Sequence, residues 1–328
     1  MRRVGILAVG SYLPERAMTD RDWEESLRQP GLAEWLSSRT GIEERRIAAT
    51  GETTVDLAAR AAEDALMKTG LDRNELTELI LATDTPEVFA PDTAAYVQQR
   101  LGLREVLAYD LAGSGCAGFI QGLEIARSRV HDGDGKVLVI AVELISRVMD
   151  WEDRRVAPLF GDGAGAAVVG ETDKLEILAC YNATDGSGAD ALSLAVGGTR
   201  FPPTLERVAH GEHKNIVLQG ERIFRNAIKR MAEAGEIVLN KAGLKPDDIS
   251  LLIPGQANIH IIEAVAERLG VPTDKVAINL DRYGDTGSAA FPIALDEALQ
   301  SGRIGPGDHV LLVAFGAGFH WGGALLRF

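Results

Sequence analysis

Two stretches of this sequence are versions of one another. Val137-Leu138-Val139-Ile140-Ala141 returns as Val310-Leu311-Leu312-Val313-Ala314, displaced by 173 positions. Three further pairs keep the same order and nearly the same displacement: Leu101-Gly102 with Leu269-Gly270 at 168, Val106 with Val276 at 170, and Leu123-Glu124-Ile125-Ala126 with Leu295-Asp296-Glu297-Ala298 at 172. A common order with so small a drift is what two copies of one topology leave behind, and such copies bury their apolar faces against each other. The chain is therefore expected to be a pseudo-dimer, one half spanning residues 1–172 and the other 173–328. In that arrangement Cys116 and the segment Gly284-Asp285-Thr286-Gly287 occupy equivalent strand-to-helix turns and meet at the centre.

Apolar bursts of strand length alternate with amphipathic stretches of helix length, the pattern of an α/β fold with buried strands. Strands are expected at Leu79 to Ala82, Val106 to Leu111, Val137 to Val142, Ala164 to Val169, Ile249 to Ile253, Val276 to Leu280 and Val310 to Phe315. Helices are expected over Val55 to Lys68, with Thr54 as N-cap and Gly70 beyond its end, and over Glu221 to Ala242, closed by Gly243. Met1-Arg2-Arg3 ahead of Val4 to Gly10 imitates a secretion leader, but Pro14, Glu15 and Arg16 follow without a small-residue cleavage pattern, so a buried first strand is expected. No apolar run approaches the roughly 20 residues that a membrane helix needs.

Composition narrows the partners. With 34 basic against 48 acidic side chains the net charge is −14, which disfavours nucleic acid or an anionic membrane bound over a broad face. Two cysteines, Cys116 and Cys180, are too few for a disulfide framework or a four-thiolate zinc site, so no metal centre is expected and the setting reads as cytoplasmic.

Gly113-Ser114-Gly115-Cys116-Ala117-Gly118-Phe119 follows a strand and opens a helix whose apolar face runs through Phe119, Ile120, Leu123 and Ile125. A helix N-terminus offers partial positive charge and free N–H groups. An effect of up to about 2 kcal/mol would bring a thiol from near 8.5 to about 7, enough for a competent nucleophile. Cys116 is equally readable as a small buried hydrophobe. The same residues satisfy G-x-G-x-x-G with Glu143 at the end of the next strand, a dinucleotide pattern that competes, although a cysteine inside the turn has no role in it. Cys180 lies on a strand-like run and reads as core. His131, His210, His213 and His309 read as surface residues. His320 stands just after the glycine-rich turn that ends a strand, where a catalytic and a packed histidine are both plausible.

Several motifs in order, Arg39-Thr40-Gly41-Ile42-Glu43-Glu44-Arg45, Cys116 in its turn, Phe160-Gly161-Asp162-Gly163-Ala164-Gly165, Pro254-Gly255-Gln256-Ala257-Asn258, Asp281-Arg282-Tyr283-Gly284 and Phe315 to Gly322, together resemble β-ketoacyl-acyl-carrier-protein synthase III of the thiolase-like superfamily. The resemblance implies a duplicated five-layer α/β/α/β/α fold, a homodimer, no permanently bound cofactor, and a role in fatty acid or polyketide biosynthesis. It implies that Cys116 takes an acyl group from acyl-CoA and condenses it with a malonyl-carrier protein. It further implies an oxyanion hole from the N–H groups of Cys116 and Ala317, and a coenzyme A site at Trp35, Arg39, Arg154 and Asn258.

Two motif positions depart from the family. Gly255 stands where the family has a catalytic histidine, and Asp285 where it has a catalytic asparagine. Both replaced side chains donate hydrogen bonds to the malonyl thioester oxygen; glycine donates nothing and an ionised aspartate accepts. Loss of one such donor commonly costs about 3 kcal/mol, so decarboxylating condensation is in doubt while acylation of Cys116 is not. The expectation is an acyltransferase in which Asp285, with help from His320, acts on a hydroxyl or amine acceptor. The alternative is a non-catalytic acyl-thioester-binding subunit of a heterodimeric synthase. Ala90 replaces a bulky residue bordering the family's acyl pocket, and His260 and Glu267 stand where carrier-docking positions are often basic, although Arg225 and Arg268 remain.

Overall fold

The computed structural model describes residues 3–133, 135–194 and 196–328. Among them, nine strands form one continuous sheet in the order Leu251–Pro254, His309–Gly316, His320–Arg327, Glu176–Thr184, Val4–Tyr12, Gly163–Glu171, Lys136–Glu143, Leu76–Thr83, Leu107–Ala112. The halves join where Val4–Tyr12 and Glu176–Thr184 pair through Gly5 and Glu176. Either side of that join the pattern repeats. Leu76–Thr83 runs parallel to Lys136–Glu143, which is antiparallel to Gly163–Glu171; Leu251–Pro254 runs parallel to His309–Gly316, which is antiparallel to His320–Arg327.

Why these runs are apolar throughout follows from what covers them. Side chains alternate faces along a strand, so a strand buried on both sides needs hydrophobic residues at every position. Val139 enters a central core with Phe119, Leu123, Phe291 and Leu295, whereas its neighbours Leu138 and Ile140 face an outer layer with Leu57, Ala58 and Ala61. In the second half Leu312 faces the same central core, and Leu311 and Val313 face Met231, Val238 and Val265. The layers are therefore helices Thr54–Thr69 and Thr93–Arg100, the first half's strands, helices Gly118–Asp132 and Ala290–Gln300, the second half's strands, and helices Gly220–Ala242 and Ile259–Leu269. This is the duplicated thiolase-like α/β/α/β/α arrangement.

Most expected elements lie where the pattern puts them, with ends moved by up to three residues. Thr53, not Thr54, caps the first long helix in a reciprocal pair with Asp56, and Thr54 Oγ1 donates to the Thr85 carbonyl at 2.7 Å. Val276 to Leu280 is the exception, because it is not a strand. Only Val276 bridges to Leu252, and the Gln256 side chain occupies the neighbouring backbone: its amide donates to the Ala277 carbonyl at 3.1 Å while its oxygen accepts from Asn279 and Leu280. The second copy of the fold has thus exchanged its edge strand for a side-chain clamp.

One buried cation fixes a loop that matters below. Arg45 is fully enclosed, pairs with Asp20 at 2.6 Å, and donates to the Pro158 carbonyl from both Nε, at 3.0 Å, and Nη2. The adjacent residues hold Asp285 by its backbone: Asp285 N–H donates to the Leu159 carbonyl at 2.8 Å and the Asp285 carbonyl accepts from Gly161 at 3.0 Å. Removing one partner of a buried pair leaves the other uncompensated, so Arg45→Ala is expected to cost roughly 3–5 kcal/mol in urea unfolding. A loss below about 1 kcal/mol would show that the pair does not hold this loop.

Candidate active site

The turn carrying Cys116 is built by close backbone approach. Gly115 has φ +56°, and a side-chain carbon there would meet the Ala317 nitrogen at 2.7 Å; one on Gly316 would meet the Cys116 nitrogen at 2.4 Å. The main chains at 115–116 and 316–317 therefore touch with nothing between them, which brings together the two residues whose N–H groups the resemblance pairs. A 3-10 turn, Gly115–Ala117, leads directly into the buried helix Gly118–Asp132. Gly287–Ala289 does the same for helix Ala290–Gln300, and the two turns are in contact.

Cys116 opens onto a cavity of about 820 Å³, within the range of small-molecule sites. Ile145, Val148, Leu159, Phe160, Leu192 and Met231 are among its apolar lining, and Gly255, Asn258, Asp285 and Ala317 also border it. Nothing in the backbone demands glycine at 255. A side-chain carbon there would find Met231 Sδ at 3.7 Å and Phe291 Cζ at 3.9 Å, ordinary contact distances, so the missing side chain leaves usable room.

The charged groups around the thiol are acids. Asp84, at the end of strand Leu76–Thr83, accepts from the Gly115 N–H at 3.1 Å and presents its carboxylate to open space in the cavity. Glu143 is buried and accepts from the Asp84 N–H at 3.0 Å and the Thr85 hydroxyl at 2.9 Å. Asp285 accepts from the Gly287 N–H at 2.8 Å. Burial, reinforced by Asp285, Asp84 and Glu143, pushes the Cys116 thiol well above its ordinary value, against a small opposing effect of its own N–H. The expectation of a thiol near 7 is thus overturned: the helix end is outweighed by desolvation and three carboxyls. Burial raises Asp285 to about 6, with Asp84 adding to the rise and the Gly287 N–H opposing it.

Other anticipated residues fall at and beyond the rim. Asn258 caps helix Ile259–Leu269 and donates to the Arg39 carbonyl at 2.9 Å, joining the cavity to helix Leu32–Thr40, where the Arg39 guanidinium lies 5.7 Å from the Trp35 ring centre. Arg154 donates to the Gln29 side chain at 3.1 Å, just ahead of that helix. His320 does not line the cavity; its Nδ1 is bonded to the Thr184 hydroxyl at 2.7 Å. Desolvation raises Asp84 above its ordinary value, opposed by the Gly115 N–H and then by His320. Ala90 lies in an exposed segment beside Phe89, which is 85% exposed, and not on the cavity wall. Cys180 is buried in its strand, where desolvation drives its thiol to about 12. The dinucleotide reading fails physically: the Gly115 N–H that would cradle phosphate is given to a carboxylate, and the turn packs on the other half. Asp84 was not anticipated from sequence, although a charged residue at the carboxyl end of a parallel strand, where α/β folds bind ligands, marks it.

The raised Asp285 carries a pH signature. Its carboxyl ionises near 4 in the unfolded chain and near 6 in the fold, so its ionisation costs the fold nothing when both states are protonated and the full amount, ~3 kcal/mol, once both are ionised. Stability from this group is lost as pH rises from about 4 through 6. Asp285→Asn should therefore be more stable than the parent at pH 8, with the gain shrinking towards pH 4, in urea unfolding at the two values. An equal difference at both would mean that the carboxyl is not perturbed.

Comparison with known proteins agrees with this architecture. The family model described as 3-oxoacyl-[acyl-carrier-protein] synthase III matches residues 109–186, and the model of its C-terminal part matches residues 239–328. A β-ketoacyl-[acyl-carrier-protein] synthase III of Caldanaerobacter subterraneus subsp. tengcongensis is 45% identical over 98% of this chain and 97% of its own length. Crystal structures of the synthases III of Thermus thermophilus and Aquifex aeolicus superpose with TM-scores of 0.90 and 0.89, at 44% and 41% identity; each covers 99% of this chain, and the matches span 99% and 100% of those chains. The chain belongs to the 3-oxoacyl-[acyl-carrier-protein] synthase III family, acyl-transferring enzymes of thiolase-like fold.

Proposed function

We propose that this acyltransferase carries its acyl group on Cys116 Sγ, takes it from acyl-CoA, and passes it to an acceptor other than a malonyl thioester. The observation that carries the reading is the cavity itself: a thiol at the seam of the two halves, an apolar wall for an acyl chain, and Gly255 and Asp285 where the family's hydrogen-bond donors stand. In the first step Sγ attacks the thioester carbonyl carbon, the thiol proton passes to the Asp285 carboxylate, and the departing CoA thiolate takes that proton away. The N–H groups of Cys116 and Ala317 hold the carbonyl oxygen as it becomes negative. Trp35, Arg39 and Arg154 receive the coenzyme's nucleotide by stacking and charge, with Asn258 at the junction of that surface and the cavity.

Asp285, ionised above about pH 6, then serves as base toward the acceptor. His320, held by Thr184 outside the cavity, is a positioning residue that acts through Asp84. Helix Ile259–Leu269 presents Glu263 and Glu267 beside Arg268, a mixed face that is poorly suited to an acidic carrier protein. The unpaired edge strand Leu107–Ala112, with Leu107 53% exposed, supports a homodimer closed by strand pairing, with twice the 35.1 kDa chain mass in light scattering; a monomer would refute it. We place the enzyme in the cytoplasm; among the described residues no helix is long and apolar enough to cross a membrane.

Incubation with acyl-CoAs of increasing chain length followed by intact-mass measurement should show one acyl group added to the wild type and none to Cys116→Ala. Gly255→His should increase malonyl-dependent product at least several-fold. An enzyme that forms no adduct would instead fit the inert partner subunit of a heterodimeric synthase, the reading that Gly255 alone favours.

A further inference from the structure

Every charged side chain lining the cavity is acidic. Asp84, Glu143, Glu221 and Asp285 border it, and no Lys, Arg or His does so among the described residues. Glu143 is used internally, tied to the Asp84 N–H and the Thr85 hydroxyl. Asp84 and Asp285 are not. One oxygen of each takes a backbone N–H, from Gly115 and Gly287, and the second oxygen of each has no protein partner among the described residues. Asp285 is only 7% exposed, so its free oxygen looks into the cavity and not into bulk water. Beside them, Gly255 leaves room in which nothing stands closer to a side-chain carbon than Met231 Sδ at 3.7 Å.

The buried Asp285 oxygen without a partner calls for a cation or a donor in the ligand, and Asp84, exposed to the same cavity, adds a second negative charge. A malonyl group would bring a third carboxylate to this place and be repelled. An alcohol is neutral and would leave the pair uncompensated. An ammonium supplies positive charge and three N–H donors on a compact centre, the complement of two unpartnered carboxylate oxygens in one cavity. Resting on the reading of Cys116 as acyl carrier, we propose that the acceptor is a primary amine, bound as its ammonium ion between Asp84 and Asp285, and that the product is an amide. The ammonium gives one proton to Asp285, and the freed nitrogen lone pair forms the C–N bond at the thioester carbonyl carbon. The C–S bond breaks, and the departing Cys116 thiolate takes the second proton from nitrogen. An acyl thioester and an ammonium thus become an amide, a thiol and one proton left on Asp285. Asp285 is here a catalytic residue and Asp84 binds the cation.

Butyryl-Cys116 enzyme, prepared with butyryl-CoA and freed of excess reagent, can be mixed at pH 7.5 with n-butylamine, n-butanol or malonyl-CoA and followed by intact mass and product analysis. We expect n-butylamine to discharge the enzyme to N-butylbutanamide at least tenfold faster than equal n-butanol or malonyl-CoA. It should also discharge it at least tenfold faster than it cleaves butyryl-N-acetylcysteamine free in solution. Asp285→Asn, which is expected to acylate more slowly and is therefore loaded to completion before the amine is added, should lose at least tenfold in the amine-dependent rate, whereas Asp84→Asn should mainly raise the amine concentration needed for half the maximal rate. The proposal falls if n-butanol or malonyl-CoA discharges the enzyme as fast, if the amine is no faster than with the free thioester, or if both aspartate variants behave as the parent. Failure to form butyryl-Cys116 at all removes the underlying reading and this proposal with it; a stable adduct that resists the amine removes this proposal alone.

Discussion

Two copies of one sheet, stacked with a single helical layer between them, determine where everything else can go. Helices Gly118–Asp132 and Ala290–Gln300 fill that layer, and Phe119, Leu123, Phe291 and Leu295 are wholly removed from water in it. Each such side chain contributes about 1.5–3 kcal/mol on burial, so the two helices cannot slide without large loss. Because each helix follows a turn from its own half, fixing the helices fixes the turns, and the turns hold Cys116 and Asp285. The backbone contact between 115–116 and 316–317 is the tightest expression of this constraint, since no side-chain carbon fits on either glycine.

The price of the location is electrostatic. A thiol that is placed at a helix end would ordinarily be acidified, but the seam also gathers Asp84, Glu143 and Asp285 within reach of it. Burial of Glu143 and Asp285 strengthens the repulsion because little water remains around them to screen it. The arrangement keeps the thiol protonated in the resting enzyme and brings Asp285, at about 6, to change charge near neutrality, while burial also pushes Glu143 well above its ordinary value. Such a site is better suited to accepting a proton from an incoming group than to stabilising an enolate by donating one. The vacancy at Gly255 points the same way, because it removes a donor and adds space together.

Much of this was legible in the chain itself. The displaced repeats of Val137-Leu138-Val139-Ile140-Ala141 and Leu123-Glu124-Ile125-Ala126 mark equivalent strands and helices, and they are readable because a strand buried on both faces must be apolar at every position. The pairing of Cys116 with the 284–287 turn follows from the repeat alone. Val276 to Leu280 misled because an apolar run specifies burial, not hydrogen bonding; Gln256, some twenty residues away, takes the backbone groups that a sheet would have used. The elevated thiol was equally hidden, for Asp84 and Glu143 reach it from separate strands and neither lies near it in sequence. His320, read as a catalytic candidate from its glycine-rich neighbourhood, is drawn instead to Thr184 on the adjoining strand.

The account turns on the acids, not the helix end, setting the state of Cys116. The rate of Cys116 alkylation by iodoacetamide as a function of pH, read by mass on Cys180→Ala protein, measures this directly. A rate that climbs only above pH 9 is expected, with its midpoint moving down when Asp84 and Asp285 are both replaced by asparagine. A midpoint at or below about 7 in the parent, of the kind that a helix N-terminus alone would produce, would contradict it.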